Sequence, residues 1–227
     1  MAKGGGEGTG DRRPIAARGL PQVGRLAGWL VARRASPDAI SLAGMGCGLA
    51  AGACLAGVWW AGPGWGSRAL WLLAALLVQG RLMCNLLDGM VAVGRGVASA
   101  TGELFNEVPD RVSDTAVLVG LGAAAGGDWA LGWAAALAAM ATAYVRAVGR
   151  GLGLPSDFRG PMAKQHRMAV VTAVALWCGL APWAWGAGSA LPALALWAIL
   201  ALSLLTAARR LAGLASGLRA SGGGRAR

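Results

Sequence analysis

Six stretches of the chain are apolar over about 20 residues, near 38–60, 68–92, 103–126, 128–151, 164–185 and 189–208. A helix rises about 1.5 Å per residue, so such a stretch crosses a hydrocarbon core of about 30 Å. The pattern predicts six transmembrane helices. A membrane barrel would alternate apolar and polar residues along short strands, and this chain does not. Only the turn sequence Gly126-Gly127-Asp128 divides the third stretch from the fourth. Ahead of the first span, 20–35 carries Leu, Val and Trp at helical spacing, with Arg25, Arg33 and Arg34 off that face. That is the pattern of an amphipathic helix lying in the membrane interface. Residues 1–19 read as a disordered basic arm, 36–210 as the six-helix membrane domain and 211–227 as a basic flexible tail. The expected fold class is therefore all-α, a polytopic membrane protein with an N-terminal interfacial helix.

Composition agrees. The 227 residues are 56% hydrophobic and 14% charged, about half the charge of a soluble domain. The net charge of +11 raises the question of nucleic acid, but such a binder needs a basic face in water. No nucleic-acid partner is expected, and the basic arms suit membrane lipid headgroups. Cys47, Cys54, Cys84 and Cys178 all lie in apolar runs with no CxxC pair, so neither a disulfide framework nor a thiolate metal site is expected. The first residues contain no apolar signal-peptide core.

Basic residues set the orientation. Lys3, Arg12, Arg13, Arg18, Arg25, Arg33 and Arg34 precede the first span. Arg95 follows the second, Arg150, Arg159 and Lys164 follow the fourth, and Arg209, Arg210, Arg219, Arg225 and Arg227 follow the last. The opposite loops offer Arg68 alone. Both termini are thus expected in the cytoplasm. Trp59, Trp60, Trp65, Trp129, Trp133, Trp183 and Trp185 fall near the external ends, as an aromatic belt does. The expected location is the cell (inner) membrane, and richness in Ala, Gly and Arg fits a bacterium of high GC content.

Half of the ten acidic residues fall between 88 and 114. Glu103, Glu107, Asp110 and Asp114 point into one arc of roughly 60° on the third span, flanked by Asn106. Asn85 and Asp88 share a face of the second span. Carboxylates gathered inside a membrane need a neutralising partner, and a hard divalent ion such as Mg²⁺ or Mn²⁺ suits an oxygen-rich set. The alternative is ion pairing with Arg81, Arg95 and Arg111. A second, cationic cluster comprises Arg146, Arg150, Lys164, His166 and Arg167. An acidic, metal-holding group facing a cationic one suits a phosphate-bearing substrate.

At NLLDGMVA and GELFNEVPD the chain resembles the CDP-alcohol phosphotransferase family. The signature of that family, D-x2-D-G-x2-A-R-x8-G-x3-D-x3-D, aligns without a gap onto Asn85, Asp88, Gly89, Ala92, Val93, Gly102, Asn106 and Asp110. SPDAISLAG resembles the family's entry to its first span. Asn85 and Asn106 replace two signature aspartates and Val93 the arginine, which marks a divergent branch. The resemblance implies six spans, cytosolic termini and a homodimer. It also implies one or two divalent ions, on Asn85, Asp88, Asn106 and Asp110, with Asp110 as general base. Asp114 is expected to compensate for lost charge as a further ligand, beside Glu107. Gly89, Ala92, Gly102 and Arg95 would meet the nucleotide, and Arg146, Lys164 and Arg167 the acceptor.

The implied reaction moves a phosphatidyl or other substituted phosphate from a CDP-linked lipid, CDP-diacylglycerol above all, to a small alcohol. That alcohol is either free or phosphorylated, and CMP is released. Two other readings stay open. One is a catalytically impaired member that binds lipid or nucleotide; the other is an ion-coupled transporter. The acids lie near one surface rather than mid-membrane, which weighs against the transporter.

Overall fold

The computed structural model describes residues 20–97, 102–182 and 190–223. The arm 1–19, Trp183, Trp185 and the last four residues of the tail lie outside these. So do the side chains of Glu103 and Asn106.

The described residues form helices alone. α1 spans Pro21–Ala32, α2 Pro37–Ala61, α3 Trp65–Gly94, α4 Gly102–Ala124, α5 Trp129–Gly151, α6 Lys164–Leu180 and α7 Leu191–Gly223. Four of them, α2, α3, α5 and α7, are long and apolar enough to cross a membrane. α4 carries its acidic residues between Glu103 and Asp114, and α6 has 17 residues.

Local chemistry sets the boundaries. α1 starts on Pro21, whose fixed φ suits a first helical position. It buries Val23 and Ala27, one turn apart, against Leu86 and Leu87 of α3. Arg34 then turns the chain with φ 53, and Ser36 caps α2 by accepting from the Ala39 N–H at 3.4 Å. At the Gly126-Gly127 turn both glycines take positive φ, 84 and 82. Asp128 then caps α5, its Oδ1 accepting from Leu131 N–H at 2.9 Å. α7 corrects the expectation of a flexible tail from 211. It continues to Gly223 because Leu214 and Gly217 pack against Gly149 and Leu154.

α2 lies between α3 and α4, α5 between α4 and α7, and α3 packs on α6. Val78, Leu118, Leu121, Val171, Leu196 and Ile199 fill the centre. The α2–α4 contact is backbone to backbone: a Cβ at Gly52 would overlap the Ala116 carbonyl, and one at Gly120 the Gly52 carbonyl. Helices in lipid gain by such close approach. Gly52→Ala should therefore cost about 1–3 kcal/mol. Gly46→Ala, which meets nothing within 4 Å, should be silent. Thermal unfolding of both variants in detergent checks this, and equal midpoints would refute it.

Candidate functional site

The site is built at the end of the bundle where α3 finishes and α4 and α6 begin. On α3, Arg81, Asn85 and Asp88 recur at i, i+4 and i+7, so they share one face. α4 presents Glu107, Asp110 and Asp114 on the facing side, and α6 adds Lys164 and Arg167.

Asp110 is the hub. Its Oδ1 accepts from Asn85 Nδ2 at 2.6 Å and from Arg81 Nη2 at 3.3 Å. Its Oδ2 accepts from Lys164 Nζ, with Arg111 Nη2 at 4.0 Å. Arg81 Nη2 also reaches the Asp110 carbonyl at 3.2 Å and Asp114 Oδ1 at 2.6 Å. Asp114 Oδ2 takes Arg167 Nη2 at 3.2 Å. The side chains of Arg81, Arg167 and Asp114 are 0%, 1% and 4% exposed. They form a buried charge network rather than a solvated surface. Arg81 keeps Nε and Nη1 without a hydrogen-bond partner.

Asp88 is held differently. Oδ2 accepts from Ser41 Oγ at 2.6 Å and Oδ1 from the Gly89 N–H at 2.5 Å. Both donors are neutral, and among the described residues Asp88 forms no ion pair. It nevertheless lies close enough to Asp110 and Lys164 to feel both charges. A Cβ at Gly89 would meet nothing within 4 Å, so the backbone beside Asp88 is open to a ligand. Arg95 donates Nη1 to the Ala35 carbonyl at 2.8 Å, tying the α3 end to the α1–α2 link. Ala92 and Gly102 are half-buried, and Val93 is exposed.

Glu107 joins this cluster to a cavity. It pairs with Arg111 at 3.2 Å and with Arg146. Arg146 lines a cavity of about 580 Å³ between α5, α7 and the 152–163 connection, together with Ser156, Asp157, Phe158, Arg159 and Arg210. Arg210 donates to the carbonyls of Arg159 at 2.9 Å and Thr142 at 2.8 Å. Arg159 grips Asp157 through Nε and Nη2, at 3.0 and 2.9 Å. Those hydrogen bonds hold the Asp157 carboxyl below its ordinary value.

The expected site residues thus separate. Asn85 and Lys164 both bond to Asp110, while Asp88 lies nearby on Ser41 and the Gly89 N–H. Asp114, expected as a further metal ligand, has both oxygens in guanidinium pairs. Arg167, expected at the acceptor, is buried on Asp114 and on the Met162 carbonyl, 3.0 Å away. A soluble molecule could reach it only by breaking that pair. The cavity also presents Arg159 and Arg210, which the sequence pattern marks only as charges of the cytoplasmic side. Asn106 lies outside the described side chains. Among the described residues no group of three His, Cys, Asp or Glu gathers as metal ligands. Asp88 keeps lone pairs and, among the described residues, pairs with no cation, though Lys164 lies close enough to act on it; its donor set fits a divalent ion. Asp110, already met by Lys164 and Arg81, fits one poorly.

No family model matches the chain. Among curated proteins it is 31% identical over 160 residues to a phosphatidylinositol phosphate synthase of Mycobacteroides abscessus, across 65% of this chain and 63% of that protein. The match thus spans less than two thirds of that relative's length. It is 27% identical over 224 residues to one of Streptomyces avermitilis, across 87% and 88% of the two chains. The fold matches the crystal structure of Mycobacterium tuberculosis phosphatidylinositol phosphate synthase with CDP-DAG bound. The TM-score is 0.69 at 19% identity, covering 86% of this chain and 94% of that one. The same enzyme in complex with manganese and citrate gives 0.68 at 20% identity, over 85% and 88%. With the signature spacing intact, its polar positions on α3 and α4, and relatives aligned along most of its length, the chain is similar in sequence to phosphatidylinositol phosphate synthases and shares the fold of one of them.

Proposed function

We propose that this chain is a membrane transferase that moves a substituted phosphate group from a CDP-alcohol to an acceptor alcohol and releases CMP. The observation that carries this reading is the Asp110 carboxylate, held by Asn85, Arg81 and Lys164 in the neighbourhood of Asp88, with a cation-lined cavity reached through Glu107 and Arg146. The donor is CDP-diacylglycerol, the class of ligand in the solved relative. Its acyl chains lie in the bilayer while the nucleotide approaches the open backbone at Gly89, flanked by Ala92, Gly102 and Arg95. The acceptor is a phosphorylated alcohol, since both curated relatives are named for a phosphorylated product and Arg146, Arg159 and Arg210 line the cavity.

The chemistry follows from the positions. The acceptor hydroxyl gives its proton to Asp110 Oδ2, and its oxygen bonds to the phosphorus that carries the lipid. The bond from that phosphorus to the bridging oxygen breaks, and CMP leaves with the electron pair. A divalent ion, Mg²⁺ or Mn²⁺, held by Asp88 supplies charge neutralisation to the departing phosphate. Asn85 and Arg81 hold Asp110 in place, and Lys164 and Arg146 face the phosphates. Asp114 serves as an anchor for Arg81 and Arg167.

We place six spans in the cell membrane of a bacterium, α4 and α6 completing the set of four, with both termini cytoplasmic and the chain paired as a homodimer. The four cations around Asp110 and Glu107 favour a second reading, a family member that binds its donor without turnover. Liposomes containing CDP-diacylglycerol and Mn²⁺ decide between them. CMP release should require inositol phosphate or glycerol phosphate and disappear in Asp88→Asn. Donor binding without CMP release, over a panel of free and phosphorylated alcohols, would establish the second reading instead.

A further inference from the structure

The charges at the site are already balanced by the chain's own side chains. Among the described side chains, Asp88, Glu107, Asp110 and Asp114 contribute four negative charges, and Arg81, Arg111, Arg146, Lys164 and Arg167 five positive ones. Asn85 adds no charge. Because a carboxylate only accepts hydrogen bonds, the Asn85 amide turns its nitrogen to Asp110. Its oxygen lies on the α2 side, near Gly44. Two divalent ions would add four positive charges to a set that already carries a small positive excess.

Lys164 occupies an unusual position. It is the first residue of α6, whose first turn holds no acidic residue. The positive end of the helix dipole disfavours a cation there. What offsets this is Asp110, which the ammonium meets across the α4–α6 gap. The Lys164 side chain is 23% exposed, while its ammonium is turned inward onto Asp110. Of its three N–H donors, one goes to Asp110. The others are available to a phosphate oxygen, the contact a metal ion would otherwise make. An ion placed on Asp110 would have to displace this ammonium or endure its repulsion. Asp88 carries no such competitor, since Ser41 and the Gly89 N–H are neutral.

We propose that the site takes a single divalent cation, on Asp88, and that the Lys164 ammonium permanently holds the second cation position, beside Asp110. The inference deepens the transferase reading and rests on it for the identity of the phosphates. Its test does not depend on turnover.

Mn²⁺ titrated into the purified full chain in detergent, with free ion counted by electron paramagnetic resonance, should reveal one ion per chain. Lys164→Gln should tighten that ion by about tenfold, because a nearby positive charge is removed. Lys164→Arg keeps the charge and should leave both number and affinity unchanged. Lys164→Gln combined with Asn85→Asp and Asn106→Asp should take two ions. Two ions on the native chain, or none, would overturn the proposal. So would unchanged affinity in Lys164→Gln, or a single ion on the triple variant. CMP release, measured in parallel, keeps the two ideas apart. One ion without CMP release under any acceptor sinks the transferase reading alone, and two ions with CMP release sink the Lys164 assignment alone.

Discussion

Asp110→Asn should lower CMP release by at least about a hundredfold, the scale of a lost general base, while leaving donor affinity within a few-fold. The split follows from what surrounds the residue. An amide still offers an oxygen but takes no proton from an acceptor hydroxyl. In the proposed reading the donor's nucleotide approaches at Gly89 and Asp88, which the substitution does not touch. The fold should survive, because the cations that lose a partner have somewhere to go. Arg81 keeps Asp114 at 2.6 Å. The Lys164 side chain, 23% exposed, can turn toward water. Binding of CDP-diacylglycerol and turnover, measured on the same purified variant, check the expectation. Turnover equal to the native chain would remove Asp110 as base. Loss of donor binding together with turnover would make it a ligand of the donor site rather than the acid–base group.

Much of this site was legible because its parts are close in sequence. The spacing from Asn85 to Asp110 encodes two helix faces joined by a short link, and helical periodicity alone predicts which residues point together. The Gly126-Gly127-Asp128 turn was equally plain, since positive φ and a capping carboxylate leave a local signature. What stayed hidden depends on how helices cross. Nothing in the spacing says that Lys164 on α6 meets Asp110 rather than solvent, or that Arg167, three residues on, faces inward to Asp114. The cavity was hidden for the same reason, because α7 and the 152–163 connection form it together. Arg81 carried a usable signal: an isolated arginine within an apolar run, on the Asn85 and Asp88 face, is an intramembrane charge that needs a partner. The sequence reading set it among possible ion-pair partners, and its bond to Asp114 bears that possibility out.

Asp114→Asn should destabilise the protein more than any other single substitution at the site, by about 3–5 kcal/mol, the scale for removing one partner of a buried ion pair. Both Asp114 oxygens serve guanidinium groups, Arg81 at 2.6 Å and Arg167 at 3.2 Å. Those arginine side chains are 0% and 1% exposed, so neither can turn to water as Lys164 can. Arg81 would be left on Asp110 alone, the carboxylate at 3.3 Å and the carbonyl at 3.2 Å, with Nε and Nη1 already unpartnered. Arg167 would retain the Met162 carbonyl as its remaining acceptor. The loss is one of unpaired charge rather than volume, so removing a charge as well should restore stability. Asp114→Asn with Arg167→Met should unfold at a higher temperature than Asp114→Asn alone. That reversal separates an anchor from a metal ligand. A ligand at Asp114 would make Mn²⁺ raise the native unfolding temperature in a way that Asp114→Asn abolishes, and Arg167→Met would then rescue nothing. An anchor predicts the same Mn²⁺ stabilisation in both proteins, because the proposed ion site is Asp88.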